Sequence, residues 1–157
     1  MDQASNQKRK FKLKDVAQEI KLALSTQIKN KSYNYVLDID SEVEMDSFPG
    51  PLGQVLTNLF NNSITHGLKD KGEGTVSLRA VKDQDRVIIT HRDTGEGISE
   101  EIIDKIFDPF FTTSRGKGGS GLGLSIVHNI VTGPLKGTLS VENNDGAIFT
   151  IVLPLDI

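Results

Sequence analysis

Apolar residues recur at helical spacing along two long segments of the chain. The first segment, DVAQEIKLALSTQIKNKS from Asp15, predicts an amphipathic helix. The second, PLGQVLTNLFNNSITHGL, predicts a longer helix with Pro51 in its first turn and an end near Gly67. The stripes are formed by Val16, Ile20, Ala23, Leu24 and Ile28 in the first helix and by Leu52, Val55, Leu56, Leu59 and Phe60 in the second.

Stretches rich in β-branched and aromatic residues predict the strands. YNYVLDI (33–39) is followed by the shorter VEMDSF (43–48), TVSLRAV and RVIITHRD pair across KDQD, and GTLSVEN and AIFTIVLPL flank the turn NDG. Two further helices are expected, a short one, SEEIIDKIF, from Ser99 and another from about Ser120 to Thr132. This order predicts an α/β two-layer sandwich, a mixed and mostly antiparallel sheet of about five strands covered on one face by about three helices.

Composition limits the classes of function. A chain of 157 residues with 36% hydrophobic and 25% charged residues fits one globular domain. We expect residues 1–11 to form a flexible tail or linker stub and residues 12–157 to form the domain. A net charge of −3 provides no basic field for nucleic acid, and no apolar run reaches the roughly 18 residues of a membrane span. The absence of cysteine favours a cytoplasmic location.

Asn58 and Asn62 lie four residues apart, on one side of the second helix, with His66 as the next neighbour on that side. Neutral oxygen ligands at this spacing could hold a hard cation such as Mg²⁺ that shares its shell with phosphates. The alternative is that these residues are solvent-facing or capping polar groups.

The motif DTGEGI (93–98) directly follows a predicted strand. The Asp93 carboxylate could accept a hydrogen bond from a ligand, while Gly95 and Gly97 permit tight turns and close approach of the backbone. A turn in which Asp93 caps its own backbone explains the motif equally well.

The stretch FDPFFTTSRGKGGSGLGLSIV (107–127) contains five glycines between Gly116 and Gly123 and runs into a predicted helix. Glycines before a helix N-terminus let several N–H groups converge on a phosphate, although neither the Walker nor the Rossmann spacing is present. The alternative is a flexible surface loop. In the phosphate-binding interpretation the segment is a lid, and the residues that anchor its two ends are Phe107, Phe110 and Phe111 before it and Leu122, Leu124, Ile126 and Val127 after it.

Four segments, NLFNNSITH, DTGEGI, IFDPFFTTS and GKGGSGLGLSIV, occur in this order. They resemble the N, G1, F and G2 boxes of the catalytic ATP-binding domain of sensor histidine kinases, within the superfamily of gyrase, Hsp90 and MutL ATPases. The resemblance covers residues 12–155 and implies a Bergerat-type fold that binds ATP and Mg²⁺.

The resemblance also implies residue roles. Asn62 would be the Mg²⁺ ligand with Asn58 beside it, His66 would flank the nucleotide, and Asp93 would accept the adenine amino group. The remaining nucleotide contacts would come from Gly95, Gly97 and Ile98, from the lid residues Phe111, Thr112, Thr113 and Ser114, and from the phosphate cradle Gly119, Ser120, Gly121, Leu122, Gly123 and Leu124.

Two positions depart from the family pattern. Thr65 stands where many members carry a basic residue, so Arg115 or Lys117 would have to supply that charge. Ala147 and Ile148 stand near the place of an adenine-side hydroxyl, for which Thr150 is the candidate substitute. In addition, the related ATPases use a glutamate to activate water at the position of Asn58, so rapid hydrolysis is not expected.

The partners follow from what the chain contains. None of its three histidines, His66, His91 and His128, resembles a phosphoacceptor box. The resemblance therefore implies a separate dimerisation and phosphoacceptor domain, a downstream response regulator, a monomeric fragment and a parent protein that could be membrane-anchored. The alternatives are a stand-alone anti-sigma-type serine kinase and a non-catalytic nucleotide-sensing module.

Overall fold

The computed structural model describes residues 7–30, 32–68, 72–109 and 123–157. Its helices and strands are, in chain order, β1 (Arg9–Lys12), α1 (Leu13–Ala23), α2 (Ser25–Asn30), β2 (Ser32–Ile39), β3 (Glu44–Ser47), α3 (Pro49–Asn62), β4 (Glu73–Asp83), β5 (Arg86–Asp93), α4 (Gly123–Thr132), β6 (Thr138–Asn143) and β7 (Ala147–Pro154).

Five of these strands form one mixed sheet in the order β2-β4-β5-β7-β6. β2 runs parallel to β4, and the other neighbouring pairs are antiparallel. Side chains alternate between the two faces, so every second residue of β5 and β7 points toward the helices. The expected α/β sandwich with a mostly antiparallel sheet is confirmed.

A separate two-stranded ribbon joins the beginning of the chain to β3. β1 pairs antiparallel with β3, and Phe11 of β1 is buried in the common core. The expectation of a flexible tail through residue 11 is therefore wrong for residues 9–11, while residues 1–6 lie outside the described part. The tail was expected because RKFK offers one apolar side chain among three basic ones, and its burial depends on a partner more than thirty residues away.

The first predicted helix is divided in two. α1 begins at Leu13 and ends at Ala23, and α2 follows after Leu24, whose N–H still bonds to the carbonyl of Ile20. Leu24 is buried as expected, but Ala23 is exposed and does not belong to the apolar stripe.

The second predicted helix, α3, begins at Pro49, two residues earlier than expected. All five residues of its apolar stripe are 0% exposed, which confirms the predicted face. The helix continues as a π-helical turn over Ser63–Gly67, closed by a 2.8 Å hydrogen bond from the Leu68 N–H to the Ser63 carbonyl. Such wide turns occur frequently at functional sites.

The short helix predicted from Ser99 is not an α-helix. Only Ile103–Lys105 form one 3₁₀ turn. The Ile103 N–H does bond to the Ser99 carbonyl four residues back, but the bonds that follow close between residues three apart, as from the Lys105 N–H to the Ile102 carbonyl. Acidic residues in the first turn favour any helical turn and do not select the α form.

α4 begins at Gly123, and residues 120–122 of the predicted helix lie outside the described part. Val127 and Val131 are 0% exposed and belong to the core, while Leu124 is partly buried. The helix packs against α3. Ile126 is 38% exposed, so its expected role in anchoring the segment before α4 is wrong. The helical period places it on the opposite side from Val127 and Val131.

Candidate functional site

Asp93, the last residue of β5, has a buried and fully oriented carboxylate. The residue is 1% exposed. Its Oδ1 accepts a hydrogen bond from the Gly95 N–H at 2.9 Å and lies 3.4 Å from the Ala147 nitrogen. Its Oδ2 accepts a hydrogen bond from the Ser63 hydroxyl at 2.8 Å. β5, β7 and the π-helical turn thus hold one carboxylate together.

A second hydrogen bond extends this arrangement into the core. The Ser63 Oγ lies 2.9 Å from Nε2 of His91, which is 0% exposed and stands on the same face of β5 as Asp93. Burial lowers the pKa of His91 to about 4, because a charged ring would lose its hydration there. The imidazole is therefore neutral near pH 7 and carries one N–H.

Three positions next to Asp93 have no room for a Cβ and are occupied by glycine. A Cβ at Gly67 would lie 2.9 Å from the Asp93 Oδ2, and one at Gly95 would lie 2.2 Å from the Gly67 carbonyl oxygen. A Cβ at Gly146 would meet the Asp93 carbonyl oxygen at 2.0 Å. The backbone around this carboxylate is thus packed as closely as glycine allows.

The loop after Asp93 is fixed by Asn143 at the end of β6. The Asn143 Oδ1 accepts a hydrogen bond from the Ile98 N–H at 2.7 Å, and its Nδ2 donates to the Ile98 carbonyl. Gly97 has a φ of 78° and would direct a Cβ to within 2.8 Å of the Asn143 Oδ1. Gly97 and Ile98 are therefore positioned by β6.

The asparagines of α3 differ in their surroundings. The Asn58 Oδ1 accepts a hydrogen bond from the Gln54 side chain at 2.7 Å, and its Nδ2 donates to the Gly123 carbonyl at 3.2 Å. Asn62, one turn later, is half-buried, as is His66 in the π-helical turn. Asn58 thus connects α3 to the first residue of α4, which follows the glycine-rich segment.

Phe107 marks the other side of that segment. Its ring centroid lies 6.3 Å from that of Phe149 in β7 and 5.7 Å from that of His128 in α4. The glycine-rich segment is thus preceded in the chain by Phe107, which packs against β7 and α4, and is followed by α4 itself.

Most predicted residues of the lid and cradle lie outside the described part of the chain. Gly123 and Leu124 lie at the beginning of α4. The others lie outside the described residues: Phe110, Phe111, Thr112, Thr113, Ser114, Arg115, Lys117, Gly119, Ser120, Gly121 and Leu122.

Thr150 does not stand in for an adenine-side hydroxyl. It is paired with Thr90, whereas the residues flanking Thr90 on β5, Ile89 and His91, face the helices. Thr150 therefore points to the open face of the sheet, away from the Asp93 carboxylate.

Three residues of the site were not predicted from the sequence: Ser63, His91 and Asn143. The bonds of Ser63 and His91 depend on a wide helical turn and on strand register, neither of which has a local signal. For Asn143 the sequence does offer a signal, its position directly before the turn NDG, since asparagine side chains commonly form hydrogen bonds to nearby backbone.

The described ranges lack two further kinds of feature. They contain no helix that is both long and apolar enough to cross a bilayer. They also contain no group of three or more histidine and carboxylate side chains that could hold a metal ion.

Comparison with known proteins gives consistent matches. Residues 49–157 match the family of histidine kinase-, DNA gyrase B- and HSP90-like ATPases. The chain is 44% identical over 111 residues to the sensor histidine kinase ZraS of Salmonella typhimurium, which covers 68% of this chain and 22% of that protein. It is 32% identical over 163 residues to the autoinducer 2 sensor kinase/phosphatase LuxQ of Vibrio parahaemolyticus, which covers 95% of this chain and 18% of that protein. The chain thus spans about a fifth of the length of these relatives.

Solved structures show the same architecture. The nucleotide-free catalytic domain of histidine kinase ThkA matches with a TM-score of 0.85 and 26% identity, over 96% of this chain and 97% of that one. ThkA in complex with the response regulator protein TrrA matches with a TM-score of 0.78 and 27% identity, over 94% and 42% of the two chains. These matches confirm the resemblance inferred from the four boxes, and the chain belongs to the family of histidine kinase-, DNA gyrase B- and HSP90-like ATPases.

Proposed function

We propose that this domain binds Mg-ATP and donates the γ-phosphoryl group to a histidine on a separate dimerisation and phosphoacceptor domain, in the cytoplasm, as part of two-component signal transduction. The observation that carries the proposal is the buried Asp93 carboxylate, which is held by Ser63 and the Gly95 N–H and enclosed by glycine backbone.

Asp93 supplies the contact to the base. A carboxylate accepts hydrogen bonds and donates none, so it pairs with the 6-amino group of adenine and repels the 6-carbonyl of guanine. Burial strengthens this discrimination because water does not compensate a wrong pairing in a site of low polarity.

The phosphates lie, in this proposal, between α3 and the beginning of α4. The N–H groups around Ser120 and Leu122, together with Gly119, Gly121, Gly123 and Leu124, bind them, and the N-terminus of α4 adds partial positive charge. The hydrogen bond from Asn58 to the Gly123 carbonyl holds this end of α4 against α3.

The residues present fit a magnesium ion that keeps water and phosphate ligands. Asn62 is half-buried and offers an amide oxygen, and no carboxylate cage exists among the described residues that would favour a protein-enclosed cation. Mg²⁺ bound there supplies charge stabilisation during transfer. Asn62 orients the metal, with Asn58 beside it.

Transfer to a protein rather than to water follows from Asn58. An amide has no basic lone pair to take a proton from water, so this position contributes no general base for hydrolysis. The chain's contribution is positioning and electrostatics, and the acceptor domain supplies the acidic group beside its own histidine.

The acceptor is a separate domain because none of the three histidines suits the role. His91 is buried, His66 belongs to the nucleotide site, and His128 lies against the Phe107 ring. The named relatives are sensor kinases about five times as long as the matched region, and the structure of ThkA with TrrA supports a response regulator as the downstream partner.

Phosphoryl transfer is tested by incubating the full chain with labelled ATP, Mg²⁺ and a dimerisation and phosphoacceptor fragment of a ZraS-type kinase. We expect acid-labile, base-stable label on the acceptor fragment, and no label when its histidine is replaced by alanine. Asp93→Ala in the chain should reduce labelling. Acid-stable label would instead indicate a serine kinase, and bound ATP without label would indicate a sensing module.

A further inference from the structure

The Asp93 carboxylate is the end of a buried three-residue chain of hydrogen bonds. His91 Nε2 lies 2.9 Å from Ser63 Oγ, which lies 2.8 Å from Asp93 Oδ2. All three side chains are at most 1% exposed. Within the described residues, His91 Nδ1 has no hydrogen-bond partner.

The direction of these bonds follows from the number of protons. A hydroxyl has one proton, and Ser63 gives it to the Asp93 carboxylate, which can only accept. Ser63 must then accept a proton from His91, so Nε2 carries the hydrogen and Nδ1 is the bare nitrogen. The unpartnered Nδ1 agrees with this assignment, because a buried bare nitrogen costs less than a buried N–H without an acceptor.

We propose that Ser63 and His91 are positioning residues for the base contact: His91 orients the Ser63 hydroxyl, Ser63 holds Asp93 Oδ2, and this arrangement sets the preference for a 6-aminopurine over a 6-oxopurine. The inference rests on the proposed function, since it concerns how the same site selects its nucleotide.

The physical reason lies in the two oxygens of a carboxylate. A carboxylate that is free to rotate presents both oxygens and can accept two parallel N–H bonds, which the adjacent ring N–H and 2-amino group of guanine offer. The Asp93 Oδ2 accepts a hydrogen bond from Ser63, and its Oδ1 accepts from the Gly95 N–H and, at 3.4 Å, from the Ala147 N–H. Three of the roughly four acceptor positions of the carboxylate are therefore occupied. The remaining acceptor capacity suits a single donor, such as the 6-amino group of adenine.

The decisive experiment is calorimetric titration of the full chain and its Ser63→Ala variant with Mg-ATP and Mg-GTP. We expect Ser63→Ala to weaken ATP binding about tenfold, the usual effect of losing a hydrogen bond to a charged group, and to weaken GTP binding by no more than about twofold or to improve it. The ratio of the two affinities should therefore fall at least about fivefold. Ser47→Ala is the matched control, since Ser47 is also 0% exposed but lies in β3 with no hydrogen bond to its hydroxyl among the described residues.

The role of His91 is tested by the same ratio of ATP to GTP affinity. His91→Leu should lower the ratio because Ser63 loses the donor that orients it, whereas His91→Gln, which keeps an N–H near the position of Nε2, should restore it. In the double variant Ser63→Ala with His91→Leu, the ratio should equal that of Ser63→Ala alone. His91 acts through the Ser63 hydroxyl, so the effects of the two substitutions do not add. If Ser63→Ala fails to fold, the pair His91→Leu and His91→Gln carries the test.

Two results would overturn the inference while leaving the proposed function intact. One is an unchanged ratio of ATP to GTP affinity in the Ser63→Ala variant, although Asp93→Ala abolishes ATP binding. The other is equal weakening of both nucleotides, which indicates only structural support. Absence of ATP binding by the folded, unaltered chain would overturn both proposals.

Discussion

At several positions around Asp93, glycine is required because neighbouring atoms leave no room for a Cβ. Gly95 is one, because the Cβ of an alanine there would lie 2.2 Å from the Gly67 carbonyl oxygen. We expect Gly95→Ala to lower the free energy of unfolding by about 2 kcal/mol or more, as for other overpacked sites. Gly123→Ala is the control, since a Cβ there meets no atom of the described residues within 4 Å. Urea denaturation measures both, and equal stability of the two variants would contradict the observed packing.

His91 should make stability depend on pH. Burial lowers its pKa from 6.5 to about 4, so the unfolded chain takes up a proton near pH 6.5 and the folded chain only near pH 4. Between these values the unfolded state binds more protons, so the contribution of this ring to stability falls by up to about 1.4 kcal/mol for each unit by which the pH is lowered.

His91→Leu removes that contribution. The difference in unfolding free energy between the unaltered chain and the variant should therefore decrease as the pH is lowered from about 7 to about 5, measured by urea denaturation at each pH. Groups common to both proteins cancel in this difference. A difference that stays constant with pH would show that His91 does not resist protonation in the folded state.

Among the elements, α3 belongs to the core through its apolar stripe and to the candidate site through Asn58. Leu56 on its apolar stripe is 0% exposed, whereas Leu22 at the end of α1 is 74% exposed. Leu56→Ala should cost about 2–5 kcal/mol of unfolding free energy, and Leu22→Ala should cost close to nothing. Chemical denaturation of both variants tests the assignment of the buried face, and similar losses would contradict it.

Elements with a strong local pattern were the ones predicted correctly from the sequence. The stripe of α3 and the pair β4 and β5 have the period of the structures they form. β1 was missed because its one apolar residue, Phe11, gains burial only by pairing with β3. The segment after Ser99 was predicted as an α-helix because composition does not distinguish α from 3₁₀ hydrogen bonding.

The candidate site shows the same difference between features with a local sequence pattern and features that depend on distant partners. The motif that contains Asp93 is contiguous and was identified directly, but its supports come from distant segments. Ser63 lies 30 residues from Asp93 along the chain, and Asn143 lies 45 residues from Ile98. Such contacts depend on strand register and on the π-helical turn, so the sequence indicated the carboxylate without the groups that orient it.

At the scale of the molecule, β3 joins the first and the last described segments of the chain. It pairs with β1, and the Asp46 N–H also donates to the Leu155 carbonyl at 2.7 Å while the Asp46 carbonyl accepts from the Ile157 N–H at 3.0 Å. Lys8 lies 3.7 Å from the Asp46 carboxylate and 3.9 Å from that of Asp156. The ribbon is thus part of the folded unit.

Removing β1 should therefore destabilise the whole domain. A chain that begins at Leu13 loses the buried Phe11 side chain and the partner of β3, and should melt at least about 5 °C below one that begins at Gln7. Phe11→Ala in the longer chain should account for much of this difference. Equal melting temperatures for the two chains would show that the domain begins after β1.

The central claim is that the buried Asp93 carboxylate selects an adenine nucleotide. Calorimetric titration of the chain with ATP and GTP, each with and without Mg²⁺ and alongside Asp93→Ala, tests it most directly. We predict a clear preference for ATP that the Asp93→Ala variant loses while it remains folded. Equal affinities for ATP and GTP, or a preference that survives Asp93→Ala, would contradict the account.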